Sequence, residues 1–225
     1  EAVVSERQKE LGVCVVNIGA STTSLVVYEE GDVMHTAVLP IGSDHVTSDI
    51  AIGLRTSIDV AEQVKLRYAT CLPGEITKKE EINLAELGAP EDEIVGRRFV
   101  ADITEARVQE IFEHVDKELQ KAERSGMLPA GVILTGSGAK LSGMLESAKS
   151  MLRLPVSLGS AIGVTSVIDR ANDPGLSTAI GLVLWGHHIR GASAHTGIGK
   201  VFKGFGGNVE KVTGGLKKFF KSIRP

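Results

Sequence analysis

A run of small and hydroxyl-bearing residues follows the first apolar stretch of the chain. This run consists of Gly19, Ala20, Ser21, Thr22 and Thr23. Small side chains let the backbone approach a ligand closely, and backbone N–H groups together with threonine hydroxyls can donate to phosphate oxygens. The pattern therefore predicts a phosphate-binding loop, although a plain hairpin turn uses similar residues.

A second glycine-rich turn lies far downstream in the sequence. Gly136, Ser137 and Gly138 follow another short apolar run and precede Lys140. Backbone that carries little side chain can lie flat against a purine, and the Lys140 amine can cover that base or reach a phosphate. Glycine-rich turns also join strands to helices for purely structural reasons, so this pattern alone does not identify a site.

A third candidate group, Glu62 and Lys65, lies on a helical stretch between these two turns. Residues three apart share one face of a helix. Taken alone, the pair is adequately explained as a solvated ion pair that stabilises its helix by ~0.2 to 0.5 kcal/mol. Any further meaning must come from the order in which the three groups occur.

The composition is that of a folded globular protein, with 42% hydrophobic and 24% charged residues in 225. Cys14 and Cys71 do not form a secreted disulfide framework, and the histidines show no metal-ligand spacing, so we expect no structural metal. The residues up to Gly12 are charged rather than signal-like, and no apolar stretch approaches the ~20 residues of a membrane-spanning helix. We expect a cytoplasmic protein, and a piece of a longer one, because the start reads as the end of a helix that runs into a strand.

Periodicity predicts the elements that must position these groups. Strands over 13–18, 25–28 and 33–39 form an antiparallel meander, in which Gly31 and Asp32 make the second turn. Ser43 or Asp44 caps a helix that reaches Leu54, and Thr56 with Asp59 forms the capping box of a helix to about residue 69. The first glycine run therefore follows a strand, and the Glu62–Lys65 pair lies within a helix.

The segment 72–103 differs in composition, with proline, glycine, charged residues and short strand-like pieces at 82–84 and 98–103. We interpret it as a small inserted α+β subdomain. An amphipathic helix over 104–124 returns the chain to the main domain. The remaining elements are strands at 130–135 and 156–158 and helices at 143–152 and 174–188. This interleaving of strands and helices predicts an α/β fold.

The order of these motifs resembles the actin and DnaK-type ATPase superfamily and, within it, the FtsA family of bacterial cell-division proteins. Similarity extends over essentially the whole chain and is closest in the segments 15–28, 41–51, 61–65, 129–143 and 173–182. It implies an actin-like (ribonuclease H-like) ATPase domain that binds ATP with Mg²⁺. The family's first domain and its other phosphate loop would precede Glu1, so the isolated chain is expected to bind ATP poorly.

The resemblance also assigns roles to residues. It implies that Gly19, Thr22 and Thr23 contact the terminal phosphates and that Ala20, Ser21 and Asn17 line the same loop. Glu62 and Lys65 would contact the ribose. The adenine would lie against the second turn, which comprises Gly136, Ser137, Gly138 and Lys140.

Departures from the family pattern weaken the expected catalysis. Asn17 and Ser24 stand where aspartates are usual, and Ala20, Ser21, Ser43 and Ser137 stand where glycines are usual. An amide is neutral, so it cannot act as a base and holds Mg²⁺ and its waters less well than a carboxylate. We expect nucleotide binding with weak or absent hydrolysis.

The last residues of the chain form a basic tail. From Gly191 onward there are seven basic residues and one acid, a charge of +6 that leaves −9 on the rest of the chain. A helix over 216–225 would carry an apolar face and a basic remainder, formed by Leu216, Lys217, Lys218, Phe219, Phe220, Lys221, Ile223 and Arg224. Such a helix docks on an anionic membrane surface, although packing on the protein's own core or binding of nucleic acid are the alternatives. We expect membrane docking and no nucleic-acid partner.

The resemblance implies protein partners as well. The family polymerises on the inner membrane face and tethers the tubulin-like FtsZ ring at the division site. Arg97, Arg98 and Arg107 lie where the C-terminal peptide of FtsZ would bind, although they are equally well explained as ordinary solvated arginines. Self-association into a filament would make weak docking of single tails effective.

The expected organisation has five parts. We assign 1–12 to the end of an inter-domain helix, 13–71 with 104–190 to the nucleotide-binding domain, 72–103 to the insertion, 191–215 to a flexible linker and 216–225 to the membrane helix.

Three alternative interpretations of the function remain. They are a pilus-assembly protein of the PilM type, a sugar or carboxylate kinase of the same fold, and an interaction module without hydrolysis.

Overall fold

The computed structural model describes residues 2–164 and 172–195, with side chains as far as Arg190. Two compact units divide the chain, Glu1–Gly181 and Leu182–Pro225. The second unit is described only as far as residue 195, where it consists of helix. The predicted membrane helix at 216–225 and most of the predicted linker lie outside the described residues.

The chain begins with a short helix and the predicted meander. Helix α1 spans Glu6–Leu11, and strands β1, β2 and β3 span Val13–Ile18, Thr23–Glu29 and Asp32–Leu39. Both strand pairs are antiparallel. The second turn uses Gly31 at φ +83°, a backbone conformation that glycine adopts without a steric penalty. The predicted meander is confirmed, with β2 longer than expected.

The sheet continues on the other side of β1 with two parallel strands. Strands β6 and β7 span Val132–Thr135 and Val156–Leu158, and the sheet order is β3-β2-β1-β6-β7. Parallel pairing of β1 with β6 places Asn17 opposite Thr135. The two glycine-bearing segments therefore leave the sheet at the same edge, because the carboxyl ends of parallel strands lie side by side.

Two helices follow the meander, with different caps from those predicted. Helix α2 spans Ser43–Leu54, and its cap is Gly42, whose N–H donates to His45 Nδ1 at 3.1 Å. Helix α3 spans Ile58–Tyr68, and the Ser57 hydroxyl, rather than Thr56, accepts from the Val60 N–H. Sequence position alone could not decide between the adjacent hydroxyl residues Thr56 and Ser57.

The segment between α3 and the next long helix contains a two-stranded antiparallel sheet. Strands β4 and β5 span Glu81–Asn83 and Ile94–Gly96, and we call residues 73–96 the insert. Helix α4 spans Arg97–Lys121. The prediction of a strand-like piece at 98–103 is therefore wrong. Val100, Ala101 and Thr104 are buried at helical spacing and extend the apolar face of α4 by two turns.

Two further helices complete the described chain. Helix α5 spans Met144–Leu152, and α6 spans Ser177–His195, so the first five residues of the predicted linker are helical. Among the described residues, no helix combines the length and apolarity needed to cross a membrane. Much of the buried core is formed by β1, β6 and the inner face of α4.

Strand β3 is an edge of the sheet, because it pairs only with β2 among the described residues. This edge carries apolar side chains that are open to solvent. Val38 is 70% exposed and Met34 is 45% exposed, and Val33 beside them is 56% exposed. Unpaired backbone N–H and C=O groups therefore lie beside exposed apolar side chains.

Candidate functional site

A cleft of about 480 Å³ opens at the sheet edge where β1 and β6 end. Its wall includes five residues of the predicted ribose and adenine site, namely Glu62, Lys65, Ser137, Gly138 and Lys140. This volume is within the range of ~300 to 1,000 Å³ that is common for small-molecule sites. The structure thus brings together residues that the sequence separates by most of the chain.

Helix α3 supplies one wall of the cleft. Val60, Ala61 and Val64 are buried against the core, which turns the next face of the helix toward the cleft. Lys65 lies on that face and its side chain is only 8% exposed. Interpretation of the Glu62–Lys65 pair as solvated is therefore wrong, because the lysine is enclosed.

The Lys65 ammonium has an acceptor for each of its N–H groups. Its Nζ lies 2.6 Å from Glu62 Oε2, 2.8 Å from Thr47 Oγ1 and 3.4 Å from the Ser43 carbonyl oxygen. An ammonium carries three donors, so this set leaves none over for a ribose hydroxyl. We assign Lys65 to positioning Glu62, and a direct contact between Lys65 and ribose stays a prediction of the resemblance.

Glu62 is held as an ionised acceptor at the cleft wall. Partial burial raises the pKa of its carboxyl, but hydrogen bonds from Lys65 and Thr47 and the lysine charge outweigh burial and lower that pKa overall. The Thr47 hydroxyl donates to the same oxygen, Oε2, at 2.5 Å. Glu62 Oε1 has no hydrogen bond within the described part of the chain and can accept from a sugar hydroxyl.

The second glycine turn packs directly on the end of β1. Gly136 has φ +85°, and a Cβ there would lie 2.3 Å from the Ile18 carbonyl oxygen and 2.5 Å from Asn17 Oδ1. A Cβ on Gly138 would lie 2.6 Å from Ile18 Cγ2. Gly136 is therefore required by close approach to the backbone of β1, and Gly138 leaves room for the Ile18 side chain.

An ion pair joins this turn to the start of α6. Lys140 Nζ lies 3.2 Å from Asp173 Oδ2, and the Gly136 N–H donates to the Pro174 carbonyl at 2.9 Å. Asp173 also caps the turn Pro174–Leu176 by accepting from the Gly175 N–H. The Lys140 amine therefore lies at the cleft wall with its charge already offset by a carboxylate.

The first glycine run forms the tight turn between β1 and β2. The Gly19 N–H donates to the Thr22 carbonyl at 2.9 Å, while Ala20, Ser21 and Thr22 are exposed. Thr23 is fully buried, and its hydroxyl donates to the Ile41 carbonyl at 2.8 Å. Direct contact between the Thr23 side chain and a phosphate would require this bond to break, so its observed role is to fix the loop.

The amino end of α2 is bonded to the carbonyl groups of the same turn. The Ser43 N–H and hydroxyl both donate to the Gly19 carbonyl, at 2.9 and 3.1 Å, and the Asp44 N–H donates to the Ala20 carbonyl at 2.8 Å. A Cβ on Gly42 would lie 2.4 Å from the Ala20 carbonyl oxygen. Since Ser43 also contacts Lys65, one chain of hydrogen bonds joins the turn to α3.

Asn17 lies at the carboxyl end of β1, where its Oδ1 accepts from the Thr135 hydroxyl at 3.4 Å. Within the described ranges no cluster of three or more histidine, cysteine or acidic side chains could hold a metal ion.

Cys14 and Cys71 are buried free thiols, and burial raises the pKa of each to about 12. Neither thiol is poised as a nucleophile.

The three predicted partner-binding arginines differ in their surroundings. Arg107 pairs with Asp49 through two nitrogens and with Glu110, and Arg97 pairs with Glu80 at 2.7 Å. Only Arg98 is exposed, and no ion pair to it exists within residues 2–164 and 172–195. Neither Arg97 nor Arg107 is an ordinary solvated arginine, because each is already paired with an internal carboxylate.

Sequence reasoning missed several residues of the cleft. Ser43 was noted as a helix cap and as a replacement for a usual glycine, Thr47 and Asp173 were not singled out, and Arg97 was assigned to partner binding, yet all four lie at the cleft wall or bond to residues that do. Ser43 and Thr47 both lie on α2, but Arg97 and Asp173 reach the site from other segments, so the four together show no common spacing in the sequence. A polar residue one helical turn after Ser43, namely Thr47, was the only local indication.

Comparison with known protein families gives a direct match. The family model described as cell division protein FtsA matches residues 14–181. Curated FtsA proteins are 38% identical over 82% of this chain in Pseudomonas aeruginosa, 38% over 81% in Neisseria meningitidis and 33% over 84% in Escherichia coli. The chain covers 44%, 44% and 47% of these relatives, less than half of each.

Solved structures show the same fold. MreB5 of Spiroplasma citri bound to ADP superposes with a TM-score of 0.65 at 17% identity, over 84% of this chain and 57% of that one. The PilM–PilN type IV pilus biogenesis complex has a TM-score of 0.59 at 20% identity, over 80% of this chain and 47% of that one. At these identities the likeness concerns the fold alone. The chain therefore has the predicted actin-like α/β architecture.

Proposed function

The chain belongs to the FtsA family of cell division proteins, and we propose that it forms the nucleotide-binding part of an actin-like division protein. One observation carries this proposal. Glu62, Ser137, Gly138 and Lys140 converge on a single cleft at the carboxyl ends of the parallel strands β1 and β6. Ligands in open α/β sheets bind at this edge.

The cleft suggests how an adenosine nucleotide would lie. Its base would rest on the turn of Gly136 and Gly138, where little side chain intervenes. The free oxygen of Glu62 would accept from a ribose hydroxyl. The phosphates would then extend toward the β1–β2 turn, where the Thr22 hydroxyl and backbone groups are exposed.

Mg²⁺ would accompany the phosphates near Asn17. An amide oxygen is an acceptable but neutral ligand, and the described residues supply no carboxylate cluster to support the ion. The metal would therefore be held mainly by phosphates and water, and no residue at this position can act as a base. We propose binding of ATP and ADP with hydrolysis far below the median enzymatic turnover of ~10 per second.

Calorimetry with ADP and Mg²⁺ on the full-length gene product tests this function. Glu62→Gln keeps the shape of the side chain but weakens acceptance from the ribose, so we expect about a tenfold rise in Kd, equivalent to roughly 1.4 kcal/mol. Glu86→Gln, on an exposed residue of the insert away from the cleft, is the matched control and should bind like the parent. Absence of ADP binding by the parent would reject the proposal.

Assembly with FtsZ, filament formation and membrane docking follow from family membership as further proposals. The exposed Arg98 is available to an acidic peptide, and the tail at 216–225 supplies apolar and basic groups for an anionic leaflet. These features would place the protein on the inner face of the membrane. Sedimentation with liposomes of mixed anionic and neutral lipid tests the tail, since Phe219→Glu should abolish pelleting that the parent shows.

A function in pilus assembly, as in PilM proteins, has less support. The likeness to PilM concerns the fold, whereas the FtsA family model covers residues 14–181. The basic amphipathic tail also favours the cell-division interpretation.

A further inference from the structure

Arg97 belongs to the cleft and to the insert at the same time. Its side chain lines the cleft together with Glu62 and Lys140. Its Nη1 donates to Glu80 Oε2 at 2.7 Å, and its backbone N–H donates to the Glu80 carbonyl at 2.9 Å. Glu80 lies in the loop of the insert that leads into β4. A single side chain thus spans from the ligand space to the insert.

The position of Arg97 along the cleft indicates which part of a nucleotide it would meet. Its Nε donates to the Tyr68 carbonyl at the carboxyl end of α3, 3.0 Å away. Tyr68 lies about 4.5 Å further along the helix axis than Lys65, at 1.5 Å per residue. Lys65 contacts Ser43 on the side of the β1–β2 turn. Arg97 is therefore anchored about one helical turn beyond the lysine that contacts the proposed phosphate side of the cleft.

The second glycine turn reaches the same end of the cleft. Ser142, which follows that turn, accepts from the Cys71 N–H at 2.8 Å and bridges Thr70. Ala69, Leu141 and Ser142 line the cleft, as Arg97 does. The guanidinium and the proposed base-binding turn thus face one space.

Three N–H donors of Arg97, one on Nη1 and two on Nη2, have no acceptor among the described residues. Of its five N–H donors, the described residues occupy one on Nε and one on Nη1. A planar guanidinium stacks well on an aromatic ring, and this interaction strengthens when water is excluded. With side-chain exposures of 30% and 36%, Arg97 and Glu80 are still accessible to water.

We propose that Arg97 stacks on the base of the bound nucleotide and thereby couples occupancy of the cleft to the stability of the insert. This inference rests on the proposed nucleotide binding. A base that covers Arg97 removes water from the ion pair with Glu80, and an ion pair becomes stronger in a less polar environment. The insert is consequently held more firmly when the cleft is occupied.

The coupling acts on local opening of the insert rather than on its docking. Ile82, Leu84 and Leu87 are buried in the core and hold the insert in place whether or not Arg97 is engaged. Glu80 instead fixes the loop before β4, since its Oε1 accepts from the N–H and hydroxyl of Thr77. The loop 77–80 is therefore the part whose opening should respond to a ligand.

Hydrogen exchange of the full-length gene product, with and without saturating ADP and Mg²⁺, tests the coupling. We expect ADP to slow exchange about fivefold in peptides that cover 77–96. Coupling is reciprocal, so loss of the ion pair in Glu80→Gln should weaken ADP binding by the same factor and remove the protection. Arg97→Lys, which keeps the charge but not the planar fork, should raise the Kd for ADP about tenfold.

Lys79→Ala provides the matched control, because it removes a charge from the same loop. Lys79 is exposed and makes no hydrogen bond or ion pair with the part of the chain that the structure describes. This variant should keep both the affinity and the protection. Melting curves confirm that each variant is folded, and if Arg97→Lys fails to fold, Glu80→Gln alone decides.

The outcomes separate this inference from the proposed function. If the parent binds ADP and both substitutions leave affinity and protection unchanged, the coupling is refuted while nucleotide binding stands. The same conclusion follows if either variant, saturated with ADP, keeps the full protection of 77–96. If the parent does not bind ADP, the proposed function fails and this inference fails with it.

Discussion

Two ion pairs at the cleft, Lys65 with Glu62 and Arg97 with Glu80, are built differently. Lys65 lies 2.6 Å from Glu62 within one helix, and Arg97 lies 2.7 Å from Glu80 across two segments. The distances are nearly equal, yet Lys65 is 8% exposed and has three acceptors, whereas Arg97 is 30% exposed. Burial and the number of partners, rather than separation, therefore decide which pair is fixed and which can respond to a ligand.

The largest effect on stability should come from disrupting the contact between the turn at Gly136 and the end of β1. In Gly136→Ala the new Cβ would overlap the Ile18 carbonyl oxygen at 2.3 Å, and the residue would also keep a strained φ of +85°. Strain and overpacking each cost roughly 1 to 3 kcal/mol. We expect a fall in the free energy of unfolding of about 3 kcal/mol or more, measured by urea denaturation.

Gly126→Ala separates the two contributions. Gly126 also has a positive φ of +67°, but a Cβ there would meet nothing within 4 Å. This variant should lose only the conformational part, about 1 to 2 kcal/mol. Equal losses in the two variants would mean that the contact between the turn and β1 is not tight.

A smaller loss is expected when the fixed ion pair is broken. Lys65→Met keeps the length of the side chain but leaves Glu62 and Thr47 without their shared donor. Partners left unsatisfied in a partly buried site cost about 1 to 3 kcal/mol. Thermal unfolding should show a lower Tm by several degrees, whereas Lys149→Met, on an exposed lysine of α5, should leave Tm within about a degree.

The smallest effect is a dependence of stability on pH. The pKa of Glu62 is lowered in the folded chain from its ordinary value of 4.5, so its contribution is complete above pH 4.5 and is lost as the pH falls through the lower folded value. The Tm of the parent should therefore fall more steeply below pH 4.5 than that of Glu62→Gln. If the plots of Tm against pH for the two proteins run parallel, Lys65 is not paired with a charged Glu62 in solution.

Much of the fold could be predicted because its signals are local. The meander follows from apolar runs on either side of the turn at Gly31, and β6 and β7 follow from short apolar runs. The start of α4 was mispredicted because 97–100 reads Arg-Arg-Phe-Val, which has no clear helical period until Thr104 and Val108 are included. Local pattern also could not choose between neighbouring caps such as Thr56 and Ser57.

The site was less predictable, because it depends on packing between distant elements. The resemblance to a family pointed to Glu62, Ser137 and Lys140, and the structure does bring them to one cleft. Nothing in the spacing of Glu62 and Lys65 indicated that α2 would bury the lysine with Thr47 and Ser43. The ion pair between Arg97 and Glu80 was not predictable either. It depends on Arg97 being the first residue of α4, seven residues before the predicted start of that helix.

The open edge of β3 has a practical consequence for handling the isolated chain. Val38 and Met34 project from a strand whose outer backbone groups pair with no other strand in the described part of the chain. This is the arrangement through which proteins aggregate by adding strands. Recombinant preparations of this chain should therefore lose solubility as concentration rises. A gatekeeper charge such as Val38→Lys, at a position that is 70% exposed, should suppress that loss without disturbing the core.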